Sequence, residues 1–171
     1  MVNKNFCPML FLFFILLNGL FTSCTLANEI FLSEEKRADM RMEQIISAIK
    51  NEDKKLLKSL FSKKALKEAK ELDKEIDHFY NFIKGNINSW SRDGLSADES
   101  VRYGEKSLLI RFGMDVHTDK DDYRLFVMDY NIDTINPDND GLYTLEIRRA
   151  ANKSPWGFWQ ERLRPGIFVY E

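Results

Sequence analysis

The spacing of the apolar residues changes once along this chain, at Gly85, and that change restricts the fold more than any single motif. Before it, Ala38, Met42, Ile45, Ile46 and Ile49 recur every three or four residues, which lines them along one face of a charged helix. Asn51-Glu-Asp breaks that helix. Leu56, Leu57, Leu60 and Phe61 mark a short second one, and Ser62 is placed to cap a third containing Leu66 and Ala69. Leu72, Ile76, Phe79 and Ile83 form the stripe of a fourth, with Gly85 as its stop. After Gly85 the period becomes two. Leu108, Ile110, Phe112, Met114 and Val116 alternate with polar positions, Phe126, Met128, Tyr130 and Ile132 mark a second strand, and Tyr143, Leu145 and Ile147 a third. Ile167–Tyr170 closes the chain as a short strand. Asn86–Arg92 and Glu99–Tyr103 read as further strands flanking a turn at Asp93-Gly94. Helices first and antiparallel strands after is the order of an α+β domain, here residues 33–171, with N-terminal helices packed on a curved antiparallel sheet.

Residues 1–23 stand apart. Lys4 precedes an apolar run, Met9–Leu17, and Leu20-Phe-Thr-Ser-Cys24 ends it with small residues before a cysteine. The run is short for a membrane span, which needs about 17–25 apolar residues, and Pro8, Asn18 and Gly19 interrupt it. The arrangement resembles a bacterial lipoprotein signal, although Phe21 stands where leucine is usual. The resemblance implies that Cys24 carries fatty-acyl chains such as palmitate and becomes the first residue of the mature chain. Residues 24–32 are then a tether, and the domain lies on the extracytoplasmic face of the cell membrane. An uncleaved anchor and an ordinary signal cut after Ala27 are the alternatives.

Composition excludes several classes. With 25 basic and 27 acidic residues, the chain lacks the excess positive charge of a nucleic-acid-binding protein. Cys7 falls in the leader and Cys24 at its end, so the domain offers no thiol for a disulfide, a nucleophile or a zinc site. The lysines of the helical half, Lys54 to Lys70, could meet an anionic membrane, but a solvated face is the expected reading because Glu68, Glu71, Asp73 and Glu75 interleave nearby.

Several stretches are similar to a family of Gram-positive lipoproteins known as a domain of unknown function (number 5104). They are Ile49-Lys-Asn-Glu-Asp-Lys, Leu60-Phe-Ser-Lys-Lys-Ala-Leu, Ser89-Trp-Ser-Arg-Asp-Gly, Asp129-Tyr and Asn136-Pro-Asp-Asn-Asp-Gly-Leu-Tyr, within residues 38–170. The element order also resembles the cone-shaped fold of nuclear transport factor two. Enzymes of that fold use an Asp or His base with a Tyr donor inside the cone. The resemblance therefore directs attention to Asp115, Asp129, Tyr130 and Tyr103. Neighbours on a strand point to opposite faces, so Asp129 and Tyr130 share a cavity only if a bulge intervenes.

The remaining signals are sparse. Asn136–Gly141 resembles the start of a calcium loop, but its twelfth position is Ile147 where a closing Glu is needed, and Glu146 falls one place short. A hairpin turn is the expected reading. His78, beside the Ile76–Phe79 stripe, reads as a packing residue and His117 as an exposed strand-end residue, too far apart for a metal site. Trp90, Trp156, Phe158 and Trp159 are expected to pack, or to rim a ligand mouth. No nucleophile elbow, dinucleotide fingerprint or phosphate loop is present. The expectation is a domain without metal or cofactor that acts as a non-catalytic binding module for a small ligand or an envelope protein. The alternative is a small cone-fold isomerase, dehydratase or hydrolase.

Overall fold

The helical half follows its local signals closely. The computed structural model describes residues 32–152 and 164–171; Cys24, Trp156, Phe158 and Trp159 lie outside them. Helix α1 (Glu34–Lys50) buries Ala38, Met42, Ile45, Ile46 and Ile49, with Arg37 and Ala48 beside them, while Glu34, Glu35 and Lys50 suit the helix dipole at its two ends. Asp53 caps α2 (Lys54–Ser59), its carboxylate accepting from the Leu56 N–H at 2.8 Å, and Ser62 caps α3 (Lys63–Glu68), accepting from the Ala65 N–H at 3.0 Å. Helix α3 buries Ala65 instead of the expected Leu66, which is 39% exposed.

Helix α4 (Leu72–Phe82) buries Leu72, Ile76, Phe79 and Phe82. It stops earlier than expected, because Ile83 is already extended and the Lys84 N–H donates to the Tyr123 hydroxyl at 2.8 Å. Gly85 belongs to the turn that follows. His78 lies off the buried stripe and is exposed, 3.3 Å from Glu171, which corrects its reading as a packing residue. Among the described residues no helix is long and apolar enough to cross a membrane.

The sheet runs β1 (Ile87–Arg102), β2 (Glu105–Thr118), β3 (Asp122–Asp133), β4 (Gly141–Arg149) and β5 (Gly166–Tyr170), in that spatial order. The first four are antiparallel neighbours, but β5 pairs parallel to β4, so the sheet is mixed where an antiparallel one was expected. Five apolar residues read alike in either direction. The sixteen residues between Arg149 and Gly166 exceed the dozen or so that a parallel crossover needs. Glu75 of α4 holds the start of β5 by accepting from the Ile167 N–H at 2.9 Å. The expected turn at Asp93-Gly94 is also corrected. It is a bulge within one continuous strand, β1, and it sits over Gly113, where a Cβ would come 2.5 Å from the Asp93 carbonyl oxygen.

All four helices pack on one face of the sheet. That face presents Leu108, Ile110, Phe112, Met114 and Val116 from β2, Tyr123, Leu125 and Val127 from β3, and Leu142, Leu145 and Ile147 from β4. Each such side chain, once buried, contributes about 1.5–3 kcal/mol. Strand β3 is apolar on both faces, and Phe126 and Met128 join Leu109 in a smaller cluster on the opposite side.

Candidate functional site

Helix α1 is fastened to β3 by a ladder of polar side chains within this apolar setting. Arg37 donates to Asn131 Oδ1 at 2.6 Å, and Arg41 donates to Asp129 Oδ2 at 3.0 Å. Four residues of helix rise about 6 Å and two residues of strand about 6.6 Å, so the two pairs meet in step. Asn131 cross-braces them by donating to the same Asp129 oxygen at 3.1 Å. On the other flank of the helix, Arg92 of β1 donates to Asp39 at 3.0 Å. Asp129 is 1% exposed and stands opposite Ile110 on the helix side of the sheet; its Oδ1 is buried without a hydrogen-bond partner.

The four residues singled out from sequence do not converge. Asp129 alone faces the helices. Asp115 lies on the opposite face, where Arg124 donates to it at 2.8 Å and also reaches Asp93 at 3.3 Å, linking three strands. Tyr130 stands opposite Leu109 of the smaller cluster, its ring edge-on to Tyr143 with centroids 6.2 Å apart. A bulge does follow, between Leu108 and Leu109 of β2; it brings Asn131 beside Asp129, and Tyr130 packs against both the main core and the smaller cluster. Tyr103 is at the β1–β2 hairpin tip, 93% exposed with φ +52°. Strand alternation and the hairpin thus place Asp129 toward the helices, Asp115 on the opposite face and Tyr103 at a tip. His117 is exposed as expected, 2.8 Å from Asp122, and Trp90 packs half-buried against the main core.

Sequence reasoning missed Arg37, Arg41, Asn131 and Tyr143. The available signal was the pair of arginines four apart, bordering the Ala38–Met42 stripe. Tyr143 donates to Glu68 at 2.9 Å; burial, reinforced by that carboxylate, pushes its phenol up to about 12.

The Asn136–Gly141 segment is the β3–β4 turn, with a short 3₁₀ turn at Pro137–Asn139. Its polar groups serve the turn itself. Asp133 accepts from the Asn139 amide at 2.6 Å and from the Asn136 and Ile135 N–H groups at 2.9 and 3.1 Å, and Asp138 lies 3.6 Å from Lys63. Burial opposes the Asp133 charge, but these donors, the Asn139 amide foremost, outweigh it and hold the carboxyl below its ordinary 3.8. Asp140 is raised, first by burial and then by the charges of Asp133 and Asp129. The two acids should therefore affect stability with opposite sign. The stabilisation from Asp133 is complete above its unfolded value and lost as pH falls through its lower folded value. Asp133→Asn should cost about 1–3 kcal/mol at pH 7, a gap that closes on acidification. Asp140→Asn should leave stability equal or higher at pH 7, an advantage that disappears below the unfolded value. Urea unfolding of each variant across pH 3–8 checks this, and parallel responses would refute it.

A ligand-sized concavity lies at the far end of α4. It is an open hollow of about 500 Å³ lined by His78, Asn81, Phe82, Lys84, Arg149, Asn152 and Glu171. The Arg149 guanidinium lies 5.7 Å over the Phe82 ring and 3.2 Å from Asp121. Cations and amides gathered around an aromatic floor can bind a small ligand with a polar or anionic group.

The profile described as Domain of unknown function (DUF5104) matches residues 44–152. The chain belongs to this family. The DUF5104 region runs from the second half of α1 through β4, so it contains Asp129, Asn131 and the Asp133 turn but not Arg37, Arg41 or β5. The α1–β3 ladder thus joins residues inside the DUF5104 match to residues before it. A comparison with curated proteins found no match.

Proposed function

We propose that this chain is a lipoprotein acylated at Cys24 and held at the outer side of the cell membrane, whose domain is a non-catalytic binding module for a small ligand or an envelope protein. The observation that carries the non-catalytic reading is the dispersal of its polar candidates. Proton transfer needs an acid or base and its partner within hydrogen-bond reach of one substrate. Here Asp129 is engaged by Arg41 and Asn131, Asp115 is on the other side of the sheet, Tyr130 packs edge-on against Tyr143, and Tyr103 is at a hairpin tip. The α4 cleft supplies a concavity of suitable size for the ligand. Helices leading into a long-stranded sheet support the cone-shaped fold of nuclear transport factor two as the parent architecture, and that fold by itself carries no one activity.

Thermal-shift screening of the chain against small carboxylates, phosphates and amines tests the reading. A saturable ligand that raises the melting temperature without turnover, and whose effect Lys84→Glu abolishes, is the expected result. Turnover of any ligand, abolished by Asp129→Asn in a protein that remains folded, would overturn it. For the anchor, Cys24→Ala should leave an unacylated precursor; processing and membrane retention like the parent's would refute lipidation.

A further inference from the structure

The lysines of the helical half are concentrated. Residues 54–70 hold seven lysines and one glutamate, within a chain of net charge −2. Acids from elsewhere answer some of them: Asp77 pairs with Lys54 and Asp73 with Lys58, each at 2.6 Å, and Asp138 lies 3.6 Å from Lys63. Lys64 lies 5.6 Å over the Tyr143 ring. Lys55, Lys67 and Lys70 are exposed and have no ion-pair partner among the described residues. Leu66 is exposed beside them and shares a cleft of about 440 Å³ with Lys58, Lys70 and Lys74, in which Glu71 and Asp73 also sit. Lys58 and Lys74 of that cleft are paired with Asp73 and Glu71, but an exposed leucine beside the unpaired Lys67 and Lys70 departs from the simple solvated face expected from the alternating charges.

We propose that the surface formed by α3 and the turn into α4 rests on the anionic headgroups of the membrane that holds the chain. This rests on the lipid-anchor reading. Nine residues separate Cys24 from the start of α1, a reach of at most about 35 Å over ten peptide steps, comparable with the width of a domain this size. Any face of the domain is thus within reach of the headgroups, and charge decides which one settles. Each lysine near an anionic leaflet adds about fivefold to local affinity. Screening confines the attraction to about 8–10 Å, so it acts only on the face in contact. Leu66 can then enter the headgroup layer, where an isolated apolar side chain finds its solvent.

The full chain, carried with its lipid into vesicles, provides the test. Amine acylation read by mass spectrometry compares neutral phosphatidylcholine vesicles with vesicles containing about one-third phosphatidylglycerol. Lys67 and Lys70 should label at least about fivefold more slowly on the anionic vesicles at low salt, with Lys120 as the unaffected control. The difference should vanish at high salt, and Leu66→Asp should weaken it. Equal labelling on both vesicles overturns the proposal. Protection by soluble polyglutamate but not by anionic vesicles also overturns it, in favour of an acidic soluble partner. Flotation separates the two readings. A chain that floats with neutral vesicles while Lys67 and Lys70 stay open keeps the anchor and loses this surface. A chain that floats only with anionic vesicles keeps this surface and loses the anchor.

Discussion

Gly141→Ala is expected to lower the melting temperature by roughly 10 °C, a loss of about 3–5 kcal/mol for a domain of this length. The reason is a crossing of main chains. The segment between α2 and α3 runs along β4 just ahead of β5, with the Leu142 N–H donating to the Leu60 carbonyl at 2.8 Å and the Ser62 N–H to the Leu142 carbonyl at 2.9 Å. A Cβ on Gly141 would lie 2.8 Å from Ser62 N and 2.9 Å from Leu60 O, and the residue has φ +123°. Both obstacles are backbone, so no side chain can swing aside, and an alanine at that φ is strained in its own right. Gly94→Ala is the control. Its φ is +70° but nothing lies within 4 Å of the added carbon, so only the conformational cost, about 1 kcal/mol, should appear. Equal losses for the two variants in denaturant unfolding would show that the main-chain crossing contributes nothing.

The second large effect concerns Arg41. Asp129 is 1% exposed and Arg41 16%, so the two partners are unequal once parted. Arg41→Met strands a buried carboxylate with only Asn131 to support it and should cost about 3 kcal/mol or more. Asp129→Asn leaves a guanidinium that can reach water and an amide that can still accept from it, and should cost less. Arg41→Met combined with Asp129→Leu should recover most of the loss, because two apolar groups leave no buried charge unpaired. Urea unfolding of all three measures this. If Arg41→Met alone costs under about 1 kcal/mol, the ladder is not what fastens α1 to the sheet.

The success of the local signals and the failure of the distant ones have one physical origin. The helices and strands β2 to β4 were legible because apolar spacing, and the cap Ser62 ahead of α3, act over three or four neighbours along the chain; β1, with little apolar alternation, was not. The inner face of β2 followed from the alternation Leu108 to Val116 alone. The candidate site was less legible. Asp129 could be chosen as a strand acid, but its partner Arg41 is 88 residues away, and a solvated arginine and a ladder arginine look identical in sequence. Asp115 and Tyr103 were equally plausible until the register placed one on the outer face and the other at a tip.

By itself, then, the sequence determined the helices-then-strands order, the stripes that α1 and α4 bury, and the turn at Asn136–Gly141, because these depend on bond geometry and hydrogen bonds between near neighbours. Only the tertiary structure decided the parallel direction of β5, the bulge over Gly113, the crossing at Gly141 and the pairing of Arg41 with Asp129. Those depend on contacts between segments far apart in the chain, where the same residues in a different register would satisfy every local rule equally well.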